Sequence, residues 1–205
     1  CSDMSEAAIR IKDLHKSFNG QVVLDGINLE VQRGRITVII GKSGGGKSVL
    51  MKHLIGLMQP DKGEVWIDGV EITGLKEREL NKVRMKFGML FQEAALFDSM
   101  NVFDNVAFPL REHTKMPERE VRRIVEERLK EVGLLKFTEK LPSELPGGMK
   151  KRVGLARALA LDPEIILFDE PTSALDPIIS LTIADLIKET QQQLKKTYVV
   201  ISHDV

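Results

Sequence analysis

The chain predicts an α/β fold with a mostly parallel core sheet, a small antiparallel β part and an inserted α-helical part. Three observations carry this prediction. A glycine-rich segment, Gly41-Lys42-Ser43-Gly44-Gly45-Gly46-Lys47-Ser48, separates a β-branched run from a helical pattern. A second apolar run, Ile165-Ile166-Leu167-Phe168, ends in the two acids Asp169 and Glu170. Between them the apolar residues pass from two-residue alternation to helical spacing. Composition agrees, since 205 residues with 42% hydrophobic and 29% charged suffice for one sizeable core. Thirty basic residues balance thirty acidic ones, so the overall basic footprint of a nucleic-acid binder is lacking. The longest apolar runs fall far short of a membrane span, so any service to a membrane is given from its surface. The single cysteine, Cys1, leaves no internal disulfide framework and favours a reducing compartment. Cys1-Ser2-Asp3 ahead of Met4 reads as added residues rather than as a lipid-modified terminus.

The first element is a hairpin. Ile9 and Ile11 alternate with Arg10 and Lys12, and Val22-Val23-Leu24, Ile27, Leu29 and Val31 follow Asn19-Gly20, a pair that accepts the positive φ angles of a tight turn. Ile36-Thr37-Val38-Ile39-Ile40 reads as a buried strand, and residues 49–57 read as a helix. The glycines therefore lie at a strand-to-helix turn and fit the pattern of a glycine, four residues, then Gly-Lys-Ser. Such a turn points backbone N–H groups and the positive end of a helix at an anion. Lys47 would reach the β- and γ-phosphates of a nucleotide and Ser48 would ligate Mg²⁺. The plain alternative is a glycine-rich turn that binds nothing.

Asp68-Gly69, between Glu64-Val65-Trp66-Ile67 and Val70-Glu71-Ile72, is a second hairpin signal, with Trp66 packing on its sheet. Gly88-Met89-Leu90-Phe91 reads as a strand ending at Gln92. Residues 101–160 turn helical: Pro117 suits a first helical position, Val121, Ile124, Val125, Leu129 and Val132 recur at three- and four-residue steps, and Gly133 is the stop. Arg122-Arg123 and Lys150-Lys151-Arg152 read as solvated helix faces. The apolar run before Asp169 buries a strand, so both acids emerge at its carboxyl end, where open α/β sheets place ligands. Asp169 is the expected Mg²⁺ partner and Glu170 the candidate general base; two solvated acids before Pro171 are the structural alternative. Residues 177–194 form an amphipathic helix, and Tyr198-Val199-Val200-Ile201 a further buried strand ending on Ser202-His203.

Six motifs lie along the chain in one order, Gly41 to Ser48, Gln92, Leu145-Pro146-Gly147-Gly148-Met149, Ile165 to Glu170, Asp176 and His203, with Gly148 21 residues before Asp169, and they give the chain its family resemblance. It resembles the nucleotide-binding subunit of an ABC transporter over essentially its whole length. The resemblance implies an ABC-type P-loop NTPase fold in one domain over 1–205. About 1–93 and 160–205 would form the nucleotide-binding core with its antiparallel β part, and about 94–159 the helical subdomain. It implies ATP and Mg²⁺ as cofactors, with Gly41, Lys42, Ser43, Gly44, Gly45, Gly46, Lys47, Ser48 and Val49 around the nucleotide. Gly147 and Gly148 open a helix that faces the γ-phosphate held by a second copy in a head-to-tail dimer, and Asp176 lies on the loop crossing that interface. Gln92 joins the Mg²⁺ and water shell and senses the membrane partner, while His203 hydrogen-bonds the γ-phosphate. Phe18 matches the aromatic that stacks on adenine, with a core or turn-edge packing role as an equal alternative.

Two departures stand out. Pro146 and Met149 occupy positions where the family usually has serine and often glutamine, and proline supplies neither a hydroxyl nor an N–H. The resemblance therefore implies a weakened ATP-dependent dimer or slower turnover. Family members also continue past the position of His203, so the C-terminus reads as truncated. Residues 96–102 and 105–112, with Gly147-Gly148-Met149 and Lys150-Lys151-Arg152, resemble the Mla-type, or toluene-tolerance, ATPases. That subfamily drives phospholipids between membranes with a transmembrane permease, an MCE-domain lipid-binding subunit and a small STAS-domain subunit. It implies a cytoplasmic protein, peripheral on the inner face of the inner membrane, with no nucleic acid among its partners. Another ABC transporter's ATPase, a soluble ABC protein, a phosphate-loop kinase and a barely hydrolysing regulatory subunit remain the alternatives.

Overall fold

The computed structural model describes residues 7–41 and 46–203. The expectations on Cys1, Ser2, Asp3 and Met4, and those on Lys42, Ser43, Gly44 and Gly45, lie outside the described residues. The first half contains β1 (Ala7–Phe18), β2 (Gln21–Gln32), β3 (Ile36–Ile40), α1 (Gly46–Leu54), β4 (Lys62–Ile67), β5 (Val70–Glu71), α2 (Glu77–Arg84) and β6 (Phe87–Leu90). The second contains α3 (Val102–His113), α4 (Glu118–Glu131), α5 (Gly147–Leu159), β7 (Ile165–Asp169), α6 (Pro177–Leu194) and β8 (Thr197–Ser202).

The strands form two sheets. The antiparallel one runs β2-β1-β4-β5, with both predicted hairpins in place. Asn19 and Gly20 have φ of 50° and 80°, and Asp68 and Gly69 have 48° and 77°, the paired positive φ of a turn whose twist matches its strands. The second sheet runs β3-β8-β7-β6 and is wholly parallel. Its central strands are buried on both faces, which is why they read as unbroken apolar runs. Ile165, Leu167, Val199 and Ile201 face a core shared with Ile9, Ile11 and Leu14 of β1 and Leu54 of α1. Ile166, Phe168 and Tyr198 face the other way, into a core with Val106, Val125, Leu129, Val153 and Leu159 from the helices.

The expectation of a buried strand at 36–40 is corrected by the sheet order. Among the described residues β3 lies at the edge and pairs only with β8, so Val38 and Ile40 are 54% and 55% exposed while Ile39 packs into the core. The helix expected over 49–57 is also displaced. It starts at Gly46 and ends at Leu54, because Gly56 at φ 71° lets Leu57 N–H reach the Lys52 carbonyl at 2.8 Å and Gly56 N–H the His53 carbonyl at 3.3 Å. Those two bonds make the closure that ends many helices. Pro117 sits one position before α4, as its N-cap, and Gly133 at φ 74° follows its end. α6 covers the residues expected, held at its start by the Asp176 side chain, which accepts from Ile178 and Ile179 N–H at 3.0 Å each.

The basic run Lys150-Lys151-Arg152 does not form a solvated face. Lys151 is buried, and Arg152 donates to the Val132 carbonyl at 2.9 Å. Gly148, Leu155 and Leu159 share the buried side of α5 with Lys151, so its i+3 and i+4 spacing set that position inward against its charge.

Candidate active site at the carboxyl ends of the parallel strands

Three neighbouring strands deliver polar groups to one edge of the parallel sheet. β3 leads to Gly41, β7 ends on Asp169 with Glu170 beyond it, and β8 leads to His203. Backbone bonds hold these ends together: Gly41 N–H donates to the Ser202 carbonyl at 3.2 Å and Glu170 N–H to the Ile201 carbonyl at 2.8 Å. Glu170 has φ of 46°, a left-handed conformation costly for a residue with a Cβ, at the point where the chain leaves the strand.

One carboxylate oxygen then gathers two donors. Lys47, in the first turn of α1, places Nζ 2.6 Å from Glu170 Oε1, and His203 Nδ1 bonds the same oxygen. Both Lys47 and Glu170 are largely buried there, at 14% and 13% side-chain exposure. The Lys47 hydrogen bond, assisted by His203, holds Glu170 below the usual carboxylate range, while burial acts against it. Its neighbour goes the other way. Burial and then the charge of Glu170 raise Asp169, against the pull of Lys47 and Lys151. Adjacent acids whose environments push them apart in this manner are suited to different tasks. Ser48 is exposed in the same turn as Lys47, whereas Val49 packs its side chain on the core and its carbonyl accepts from His53 at 2.7 Å.

A second group forms where α5 and α6 begin. Gln92, exposed just past β6, lines a cavity of about 420 Å³ with Glu93, Gly147, Lys151, Ser173 and Leu175. Ser173 Oγ is buried without a hydrogen-bond partner among the described residues. Pro146 is the N-cap of α5 and supplies no side-chain bond, so the first N–H groups of the helix have no cap from it. Gly147 is exposed, and a Cβ on it would meet only Leu175 Cδ2 at 3.5 Å. A Cβ on the buried Gly148 would lie 2.7 Å from Ile179 Cγ2, so packing of α5 on α6 already demands glycine there. Phe18 is no core residue. It is 40% exposed at the tip of the β1–β2 hairpin, with Lys16 Nζ 5.5 Å from its ring centroid.

The donor set can be tested for fit to Mg²⁺. Asp169, Ser48 and Gln92 each offer a side-chain oxygen, the ligand type this hard cation takes. Among the described residues no three His, Cys, Asp or Glu side chains converge as a dedicated metal cage. Mg²⁺ held by one or two protein oxygens with phosphate and water needs none.

Comparison with known proteins decides the family. The sequence profile described as ABC transporter matches residues 24–173. The chain belongs to the ABC transporter family. It carries that family's ATP-binding domain, with the antiparallel sheet, parallel sheet and helices expected from the sequence. A relative in Haemophilus influenzae, named intermembrane phospholipid transport system ATP-binding protein MlaF, is 48% identical over 202 residues, covering 98% of this chain and 76% of the relative. A Mycobacterium leprae relative named probable ribonucleotide transport ATP-binding protein mkl is 48% identical over 198 residues, covering 97% of this chain. This ABC domain spans 57% of that mycobacterial relative's length. The dimeric, post-hydrolysis structure of the ATP-binding cassette MJ0796 bound to ADP and Pi superimposes with a TM-score of 0.82 at 35% identity, covering 96% of this chain and 88% of that one.

Two residues that organise this region escape a motif reading. Asn105, fully buried, donates to the carbonyls of Phe97, Met100 and Asn101 at 3.0–3.1 Å and accepts from Phe97 N–H at 2.8 Å, fixing the loop ahead of α3 of the ABC domain. Lys151 is the other, and the helical spacing of its neighbours was the available signal.

Proposed function

We propose that this ABC cassette binds MgATP at the strand ends, hydrolyses it, and drives phospholipid movement between membranes through a partner permease. The observation that carries the reading is Glu170 at the carboxyl end of the parallel sheet, held by Lys47 and His203 through one oxygen. MgATP bound there would supply the phosphoryl group and the metal charge that eases its transfer to water. The chain's residues do the rest. Gly46 and the first turn of α1 would hold phosphate through backbone N–H groups, and Ser48, Asp169 and Gln92 would hold the metal. Lys47 gives its ammonium to the phosphates, which withdraws it from Glu170. That carboxylate, still oriented by His203, then takes a proton from water. The MJ0796 dimer supports a second copy as partner; Gly147 and Gly148 of each copy would then close over the other's nucleotide. Phe18 is open to stack on adenine.

The permease would dock on a groove of about 340 Å³ lined by Phe91, Phe97, Phe108, His113 and Arg157. It lies against the 96–102 and 105–112 segments that resemble Mla-type ATPases. Those segments favour phospholipid over ribonucleotide, a choice that overall identity does not make, since one relative of each name is 48% identical to this chain. The remaining partners would be an MCE-domain subunit and a small STAS-domain subunit, at the cytoplasmic face of the inner membrane. Among the described residues no helix is long and apolar enough to cross a membrane. The test is to purify a Glu170→Gln protein from its native membranes with MgATP and identify what accompanies it by mass spectrometry. A permease, an MCE-domain protein and phospholipid are expected. A different permease overturns the substrate, and no membrane protein at all overturns the transport role.

A further inference from the structure

Lys151 is a buried cation that the proposed chemistry does not use. It lies one turn into α5 at 6% exposure, and among the described residues the other buried polar side chains are His53, Asn105, Thr190 and Thr197. An ammonium is costly to bury unless polar groups compensate it. Its ammonium donates to the Phe91 carbonyl at 3.5 Å, and the charges of Asp169 and Glu93 also act on it. The Phe91–Gln92 step is unusual in what it joins. The Phe91 side chain lines the aromatic groove and the Gln92 side chain lines the cavity shared with Gly147. The carbonyl between them is the one Lys151 faces.

We infer that Lys151 is a positioning residue that ties the Phe91–Gln92 peptide to α5, so that the groove, Gln92 and the Gly147 end of α5 move as one unit. Displacing that peptide alone would strip the ammonium of its carbonyl. Displacing α5 alone would do the same from the other side. A push on Phe91 from a partner in the groove therefore reaches both Gln92 and the start of α5. This inference rests on the ATPase reading for its functional consequence, but the tether itself is a property of the protein without nucleotide.

Hydrogen exchange on the purified protein tests the tether. In Lys151→Met, exchange of the amides at 91–95 is expected to accelerate about tenfold, the effect of losing a modest charge-assisted contact. Amides at 153–159 should keep their protection. The Mg²⁺ concentration giving half-maximal ATP hydrolysis should rise severalfold, and Lys151→Arg should restore both readings. Unchanged exchange at 91–95, or loosening of the whole of α5 together with it, would overturn the inference in favour of no role or a merely structural one. If the methionine variant does not fold, Lys151→Gln, which keeps a donor without the charge, is read on the same amides with the same criteria. A wild-type protein that hydrolyses no ATP defeats the ATPase reading, and exchange without nucleotide still decides the tether.

Discussion

The strand-end group and the helix-start group are built on different physics. At the strand ends, charges satisfy one another: Lys47 and His203 share an oxygen of Glu170, and backbone bonds between strands fix their origins. At the helix starts, packing and caps do the work. Gly148 lies against Ile179 and Asp176 caps α6, while Pro146 leaves α5 without a side-chain cap. The first group is complete within one chain, and the second presents N–H groups outward. Changes in the first should therefore alter chemistry with little effect on folding, and changes in the second should divide according to whether they touch packing or the open helix end.

The sharpest test of this contrast is Glu170→Gln. Loss of a general base predicts that hydrolysis falls by about a hundredfold or more. The same change removes the carboxylate charge from Lys47, so ADP should bind more tightly. Phosphate release and calorimetric titration with ADP read the two effects. Unchanged hydrolysis would take Glu170 out of the base role, and weaker ADP binding would show that the pair with Lys47 does not compete with phosphate.

The two glycines of α5 should part company. Gly148→Ala forces a Cβ into contact with Ile179 and is expected to destabilise the domain by about 1–3 kcal/mol. Gly147→Ala meets only an ordinary contact with Leu175 and should stay within about 0.5 kcal/mol of wild type in urea unfolding, helped by alanine's helix preference. If Gly147→Ala nevertheless lowers ATP-dependent dimerisation, the backbone at that position serves the partner rather than the fold. Equal losses of stability would remove the distinction between the two positions.

Pro146→Ser addresses the open helix end. A serine N-cap accepts from an N–H of the first turn, which predicts about 1 kcal/mol of added stability in urea unfolding. Its hydroxyl should also raise ATPase rate and ATP-driven dimerisation. A variant with wild-type rate and dimer affinity would show that proline at this place costs the function nothing.

What the sequence made legible follows from the range of the forces involved. Strand ends, both hairpin turns and α6 depend on neighbours in the chain, so period, turn residues and caps announce them. The edge position of β3 was hidden because a β-branched run has the same composition whether one face or two are covered. Gly56, inside the apolar stretch Leu54-Ile55-Gly56-Leu57, ended α1 early through a closure that only its positive φ reveals. At the site, the motifs named Lys47, Glu170 and His203 one by one. That all three meet at one oxygen is a fact of pairing across 123 and 33 residues of chain. Gly148 offered a phosphate reason in sequence and a packing reason in structure, and the two are compatible.

Acid titration supplies the smallest and most discriminating comparison, because Asp169 and Glu170 shift in opposite directions. Glu170 lies below its ordinary 4.5, so the folded state favours its charged form. Its stabilising contribution is complete above about 4.5 and is lost as pH falls through the lower folded value. Asp169 lies above its ordinary 3.8, so the folded state disfavours its charge, a penalty present at neutral pH and relieved as pH falls through the raised value. Urea unfolding from pH 7 to pH 3 should therefore show Glu170→Gln less stable than wild type at neutral pH, converging with it in acid. Asp169→Asn should be more stable at neutral pH and lose that advantage in acid, each difference within about 1 kcal/mol. Parallel curves for both variants would mean that Lys47 does not discriminate between the neighbouring carboxylates. The proposed division of labour, Asp169 as metal ligand and Glu170 as base, would then have to rest on geometry alone.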